Sequence, residues 1–201
     1  MRKGERTREA ILAHAVGLAS KVGLEGLSIG ALAADLGLSK SGLFAHFGSK
    51  EALQLRVLES AVDRFIATVL APALRAPRGE PRLRALFENW LTWSRAECLE
   101  GGCPLVAAAI ELDDRPGPVR DYLLQAQKDW LEALATATRI AIEEGHFSPD
   151  TEPEQVAHEF NSAILGYHHA ARLLRDPQAE ARTRRAFEAL VARAGAAPAQ
   201  P

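Results

Sequence analysis

A chain of 201 residues with 47% apolar and 25% charged residues has the length and composition to bury a core as one large domain or two small ones, and its two cysteines exclude a disulfide framework. No apolar stretch reaches the roughly 18 residues of a membrane span, and the start at Met1-Arg2-Lys3 lacks the clean apolar run and cleavage site of a signal peptide, so a cytosolic chain is expected. The net charge of −2 is uneven: residues 1–56 carry +3 and the remainder −5, so only the first part is suited to meet a polyanion.

Helical periodicity runs through nearly every segment, and none shows the sustained alternation of a half-buried strand. An all-α fold of about nine helices is expected. The first spans about 7–22, capped by Thr7, with Ile11, Leu12, Ala15, Leu18, Ala19 and Val22 on one face, and Gly23 and Gly26 break it. Ser28 caps a short second helix with Leu32, Ala33 and Leu36 inward, and Gly37 closes it in the left-handed conformation. Ser39 caps a third, Lys40 to Phe47, closed by Gly48, and Ser49 opens a fourth that continues through Val69. Pro72, Pro77, Gly79 and Pro81 mark a connection to a fifth helix over about 82–97. The loop Gly101-Gly102-Cys103-Pro104 leads into a sixth that ends before Asp113, and Pro116 and Pro118 start a seventh over 119–144. Two last helices, about 154–175 and 178–193, are divided by Asp176-Pro177, and a tail at 196–201 is expected to be loose.

Residues 28–47 carry the sharpest motif. Two helices of about eight residues are joined by Gly37-Leu38-Ser39, a glycine-containing turn that ends in an N-cap, which is the sequence form of a helix-turn-helix. The leading edge of its second helix offers Lys40, Ser41 and Gly42: a cation, a hydroxyl and a residue without a side chain, which permits close approach to a duplex. Leu43 and Phe47, four residues apart, are placed to pack back on Leu32 and Leu36. Ser49 and Lys50 begin the following helix, whose positive dipole end suits a phosphate.

The run from Thr7-Arg8-Glu9-Ala10-Ile11-Leu12 through Leu27-Ser28-Ile29 to Leu36-Gly37-Leu38-Ser39-Lys40-Ser41-Gly42-Leu43-Phe44-Ala45-His46-Phe47-Gly48-Ser49-Lys50-Glu51-Ala52-Leu53 resembles the DNA-binding head of the tetracycline-repressor (TetR) family over about residues 7–55. Behind it, the likeness lies in the Gly101-to-Pro104 loop and the helix that follows. The resemblance implies a reader head at 1–55 and an effector-binding and dimerising body at 56–195. It implies a one-component regulator, usually a repressor, whose homodimer sits on a palindromic operator and lets go when a small molecule binds. Carried over position by position, it assigns Ser28, Lys40, Ser41, Gly42, Phe44, Ala45, His46 and Lys50 to DNA; a phosphate contact by Ser28 or Ser39 would come in addition to capping. The family usually has tyrosine where this chain has Phe44, so a phosphate bond from that hydroxyl is absent or made elsewhere. Each residue also has a plain reading: Lys40, His46 and Lys50 as solvated surface groups, and Ser28, Ser39 and Ser41 as helix-start residues.

In the body, Trp90, Trp93, Cys103, Tyr122 and Trp130, with Glu97, Glu111 and Gln125 nearby, are candidates to line an effector pocket; tryptophans at helical spacing serve equally as core. Cys98 and Cys103 are a redox pair or two inert thiols. Glu143-x-x-His146 has a di-iron ligand spacing without a second copy, and His168-His169 are adjacent and diverge, so no metal and no cofactor are expected. No phosphate loop, nucleophile elbow or zincin motif occurs, which disfavours an enzyme. The last two helices carry Val156, Phe160, Ile164, Leu165, Tyr167 and Leu173, then Phe187, Leu190 and Val191, with small residues at Ala157, Ala163, Gly166, Ala170 and Ala171. That pattern fits a four-helix dimer face or ordinary packing within the chain. Two alternatives stay open: a helical small-molecule-binding protein whose head has lost DNA, and a helix-bundle enzyme.

Overall fold

The computed structural model describes residues 3–195, with side chains from residue 7 onward; the tail expected to be loose lies outside the described residues. Nine α-helices of seven residues or more occur among the described residues: α1 (Lys3–Gly26), α2 (Ile29–Asp35), α3 (Lys40–Phe47), α4 (Lys50–Phe65), α6 (Glu80–Ser94), α7 (Pro104–Leu112), α8 (Pro118–Glu143), α9 (Pro153–Arg172) and α10 (Ala179–Ala194), with the three-residue α5 (Ala71–Ala73) after α4. No strand is formed among these residues; Phe147 and Gly195 make an isolated antiparallel bridge.

Local chemistry sets the boundaries. Ser28, Ser39 and Ser49 each accept the backbone N–H of the third residue of the helix that follows, from Ala31, Gly42 and Ala52 at 3.1, 3.1 and 3.0 Å. Gly23 interrupts α1 with φ 74°, which a side chain rarely tolerates. The expected fourth helix does not run on unbroken to Val69. It ends as α at Phe65 and continues as a π-helix, Ile66–Leu70, into α5. Pro72 explains the change: it has no N–H for the carbonyl four residues back, and a wider turn lets the next residue serve instead.

The chain divides into two compact units, one running to Ile66 and including Trp93–Ala126, the other made of Ala67–Thr92 and the residues from Gln127 onward. In the first, α1 packs on α4 and α7, and α2 on α3. Its core is aliphatic, with Ala15, Val16, Leu27, Leu32, Leu43, Leu53 and Leu58 all buried, and Phe65 meets Trp93 edge-on at 5.9 Å. Close approach replaces bulk along α1. A β-carbon on Gly101 would stand 1.5 Å from the Ser20 carbonyl oxygen, and one on Gly17 would stand 2.8 Å from that of Cys98.

The second unit is aromatic. Phe87 of α6 stacks on Phe187 of α10 with centroids 4.0 Å apart, and Phe160 of α9 meets both edge-on at 5.9 and 5.5 Å. Trp130 packs on Phe160, and Trp90 on Tyr167. Around this stack α6 and α10 mirror one another: Arg84 donates to Glu188 at 2.6 Å while Arg184 donates to Glu88 at 2.9 Å, and each arginine is also held by the glutamate four residues earlier, Glu80 and Glu180. The triplets Glu80-Arg84-Glu88 and Glu180-Arg184-Glu188, with Phe87 and Phe187 between rungs, form a local two-fold within one chain.

Candidate functional site

The α2–α3 pair displays what the motif requires. On α3, Leu43 and Phe47 are buried, while Lys40, Ser41, Gly42, Phe44, Ala45 and His46 are exposed. One stripe anchors the helix and the rest of its surface faces solvent. Leu32 and Ala33 of α2 are buried with it, and Leu36 is half-buried. The Arg8 guanidinium lies over the Phe47 ring at 5.9 Å, which ties the start of α1 to the end of α3. His14 of α1 pairs with Asp35 at the end of α2.

The candidate contacts differ in how occupied they are. Ser28 and Ser39 use their hydroxyl oxygens as caps, which leaves each hydroxyl proton for another acceptor; Ser41 Oγ lies 3.4 Å from Ser39 Oγ. The Phe44 ring is 52% exposed, an apolar surface that solvent does not favour. It offers van der Waals contact to sugar or a thymine methyl and no hydrogen bond. His46 stands exposed in the last turn of α3. Lys50 is exposed at the start of α4, but its ammonium is already held by Glu25, through the main-chain carbonyl at 2.7 Å and the carboxylate at 3.4 Å. Glu25 carries no sequence signal for this role, since its partners lie 25 and more residues away.

The candidate pocket residues fall in both units. In the first, Trp93 and Cys103 are buried together, with the indole N–H 3.4 Å from the sulfur. Burial raises the Cys103 thiol pKa, and the contact with Trp93 opposes that shift only in part, so at neutral pH it stays a thiol. Cys98 is exposed. Glu111 turns to α1, where its carboxylate accepts the Glu25 N–H at 3.0 Å. Glu97 and Gln125 are exposed and Tyr122 is half-buried. In the second unit, Trp90 is buried against Tyr167, and Trp130, buried on Phe160, has its N–H 3.3 Å from Asn161 Oδ1. The residues of the possible di-iron pair are otherwise engaged. Glu143 pairs with Arg78, and His146 Nδ1 accepts the Glu80 N–H at 3.2 Å, capping the start of α6. No group of three or more His, Cys, Asp or Glu able to hold a metal occurs among the described residues, and no helix there is long and apolar enough to cross a membrane.

Residues 11–57 match the family model described as bacterial regulatory proteins, tetR family, and residues 79–187 match the tetracyclin repressor-like C-terminal domain. Among solved structures, a TetR transcriptional regulator from Chloroflexus aurantiacus J-10-FL is 26% identical with TM-score 0.84, covering 96% of each chain. A transcriptional regulator from Saccharomonospora viridis, solved in complex with choline, is 20% identical with TM-score 0.81, covering 94% of this chain and 97% of its own. AibR, solved with isovaleryl coenzyme A and operator DNA, is 23% identical with TM-score 0.69, covering 90% of this chain and 94% of its own. Sequence comparison with curated proteins finds no match. A head and a body each matched by this family's models, on a helix-turn-helix whose outer edge is exposed, place the chain in the TetR family of transcriptional regulators.

Proposed function

We propose that this chain is a ligand-responsive repressor. A homodimer reads a palindromic operator through α3 of each copy and releases it when a small molecule binds the body. The observation that carries the reading is the exposed outer surface of α3 beside its buried Leu43 and Phe47. Lys40 and Ser41 at the start of α3 are assigned to base edges, Phe44 and Ala45 to sugar and methyl groups, and Ser28, Ser39, His46 and Lys50 to phosphates, with Gly42 allowing the backbone to come close. The head is taken as residues 1–55 and the body as 56–195.

The outward faces of α9 and α10 support the dimer. Ser162, Leu165, Gly166 and His169 on α9, with Leu173 at its C-cap, and Arg182, Arg185, Ala186 and Ala189 on α10 are exposed at helical spacing. A β-carbon at Gly166 would meet nothing within 4 Å. A partner's helix can approach there closely, and pairing these faces about a two-fold axis makes a four-helix bundle. Small-molecule control is supported by the choline and isovaleryl coenzyme A bound in the two similar structures. For this chain the effector site is assigned to the body, with Trp90, Trp93, Glu97, Cys103, Glu111, Tyr122, Gln125 and Trp130 as candidates. The reading is non-enzymatic and cytoplasmic.

The test is selection of duplexes from a randomised pool by the full-length protein, followed by titration of the enriched sequence. An enriched palindrome whose half-sites lie about one helical turn apart is expected, with changed base preference for Lys40→Ala or Ser41→Ala. A pool that shows no enrichment overturns the reading.

A further inference from the structure

Lys50 is the first residue of α4, where the positive end of the helix dipole disfavours a cation. It is held there by Glu25. The Lys50 ammonium donates to the Glu25 main-chain carbonyl at 2.7 Å and lies 3.4 Å from Glu25 Oε2, which leaves it a proton for another acceptor. The same carboxylate is shared. Gln54 Nε2 donates to Oε1 at 3.2 Å, and an Arg115 guanidinium nitrogen lies 3.1 Å from Oε2, the very oxygen that faces Lys50. Hydrogen bonding from Gln54, then the charges of Lys50 and Arg115, outweigh partial desolvation and hold the Glu25 carboxyl below the usual carboxylate range. It is ionised at neutral pH.

Both other grips on this turn come from α7 and the loop after it. Glu111 of α7 accepts the Glu25 N–H at 3.0 Å. Its carboxylate fills the space beside Gly23, where a β-carbon would stand 1.8 Å from Glu111 Oε1. Arg115 follows in the loop before α8.

We infer that Glu25 and Arg115 are positioning residues that set how strongly Lys50 engages a DNA phosphate, an inference that rests on the DNA-binding reading above. One carboxylate oxygen stands between two cations. With Arg115 in place, its charge offsets that of Glu25, and Lys50 is oriented without being neutralised. With Arg115 withdrawn, the uncompensated carboxylate draws Lys50 toward itself and away from an approaching phosphate. The α7–α8 loop thereby adjusts the phosphate contact without touching α3. The side chains of Lys50, Glu25 and Arg115 are 46%, 41% and 58% exposed, so each pair is individually weak and able to yield to a phosphate.

The test is fluorescence anisotropy of full-length variants with a labelled mixed-sequence duplex of about 30 base pairs across a range of salt. Arg115→Ala is expected to weaken binding about two- to five-fold and to lower the salt slope by about one. Arg115→Lys restores most of the loss. Glu25→Gln leaves the main-chain carbonyl to Lys50 and strengthens binding by a similar factor. In a Lys50→Ala background neither Arg115→Ala nor Glu25→Gln changes affinity further, and the melting curves of all these variants stay close to the parent's. Effects of Arg115→Ala that are equal in the parent and Lys50→Ala backgrounds overturn the inference while leaving DNA binding intact. A parent protein that binds no duplex, either mixed-sequence or selected from the pool, overturns the inference and the reading beneath it together.

Discussion

The two compact units solve the packing problem in opposite ways. In the second, Phe87, Phe160 and Phe187 interlock with Trp130, so helices are held apart at the width of aromatic rings and fixed by ring geometry. In the first, the segment from Cys98 to Arg115 lies on α1 at contacts where Gly17, Gly23 and Gly101 leave room for another residue's oxygen. Large rings make a unit that suffers most when atoms are removed. Glycine contacts make one that suffers most when atoms are added. At these glycines α1 and the segment touch through backbone and carboxylate oxygens, beside the apolar packing of α7 on α1.

Three substitutions test that contrast. The largest effect is expected from Phe160→Ala, which removes the ring shared by Phe87, Phe187 and Trp130; a loss of about 3–5 kcal/mol in urea denaturation is expected. A loss below about 1 kcal/mol would mean that the second unit is no less forgiving of truncation than an ordinary surface. Next comes Gly101→Ala, whose added methyl meets the Ser20 carbonyl and must push the loop off α1, at a cost of about 1–3 kcal/mol. An unchanged midpoint would show that the first unit absorbs bulk and would remove the contrast. The smallest is Ser39→Ala, which leaves the Gly42 N–H without its cap and costs about 1 kcal/mol. Hydrogen exchange should register that change in α3 ahead of the rest of the chain.

Features set by near neighbours could be read from the chain. The bounds of α3 came out as Lys40–Phe47 because Ser39 and Gly48 are local signals, and the turn after α2 was legible for the same reason. The inward residues Leu32, Ala33, Leu43 and Phe47 followed from spacing alone. Contacts between distant residues could not be read. Glu25 meets Arg115 from far along the chain, and nothing in either neighbourhood announces the other. The bond from the Glu25 N–H to Glu111 is of this kind, and so is that of His146, half of a possible metal pair, which caps α6 at Glu80. The π-helix is illegible for another reason: Pro72 reads in sequence as part of a connection, whereas the backbone widens by a residue there and carries on into α5. Likewise α6 begins at Glu80, since Pro81 is acceptable in a first turn.

The mirrored charges of α6 and α10 bear on the conditions the protein tolerates. Heating lowers the cost of stripping water from ions, so the Glu80-Arg84-Glu88 and Glu180-Arg184-Glu188 strips take a growing share of the adhesion between these helices as solution warms. Brine screens the same strips because they sit at the surface. The contribution of these side chains to the adhesion of α6 and α10 therefore grows with heat and shrinks with salt.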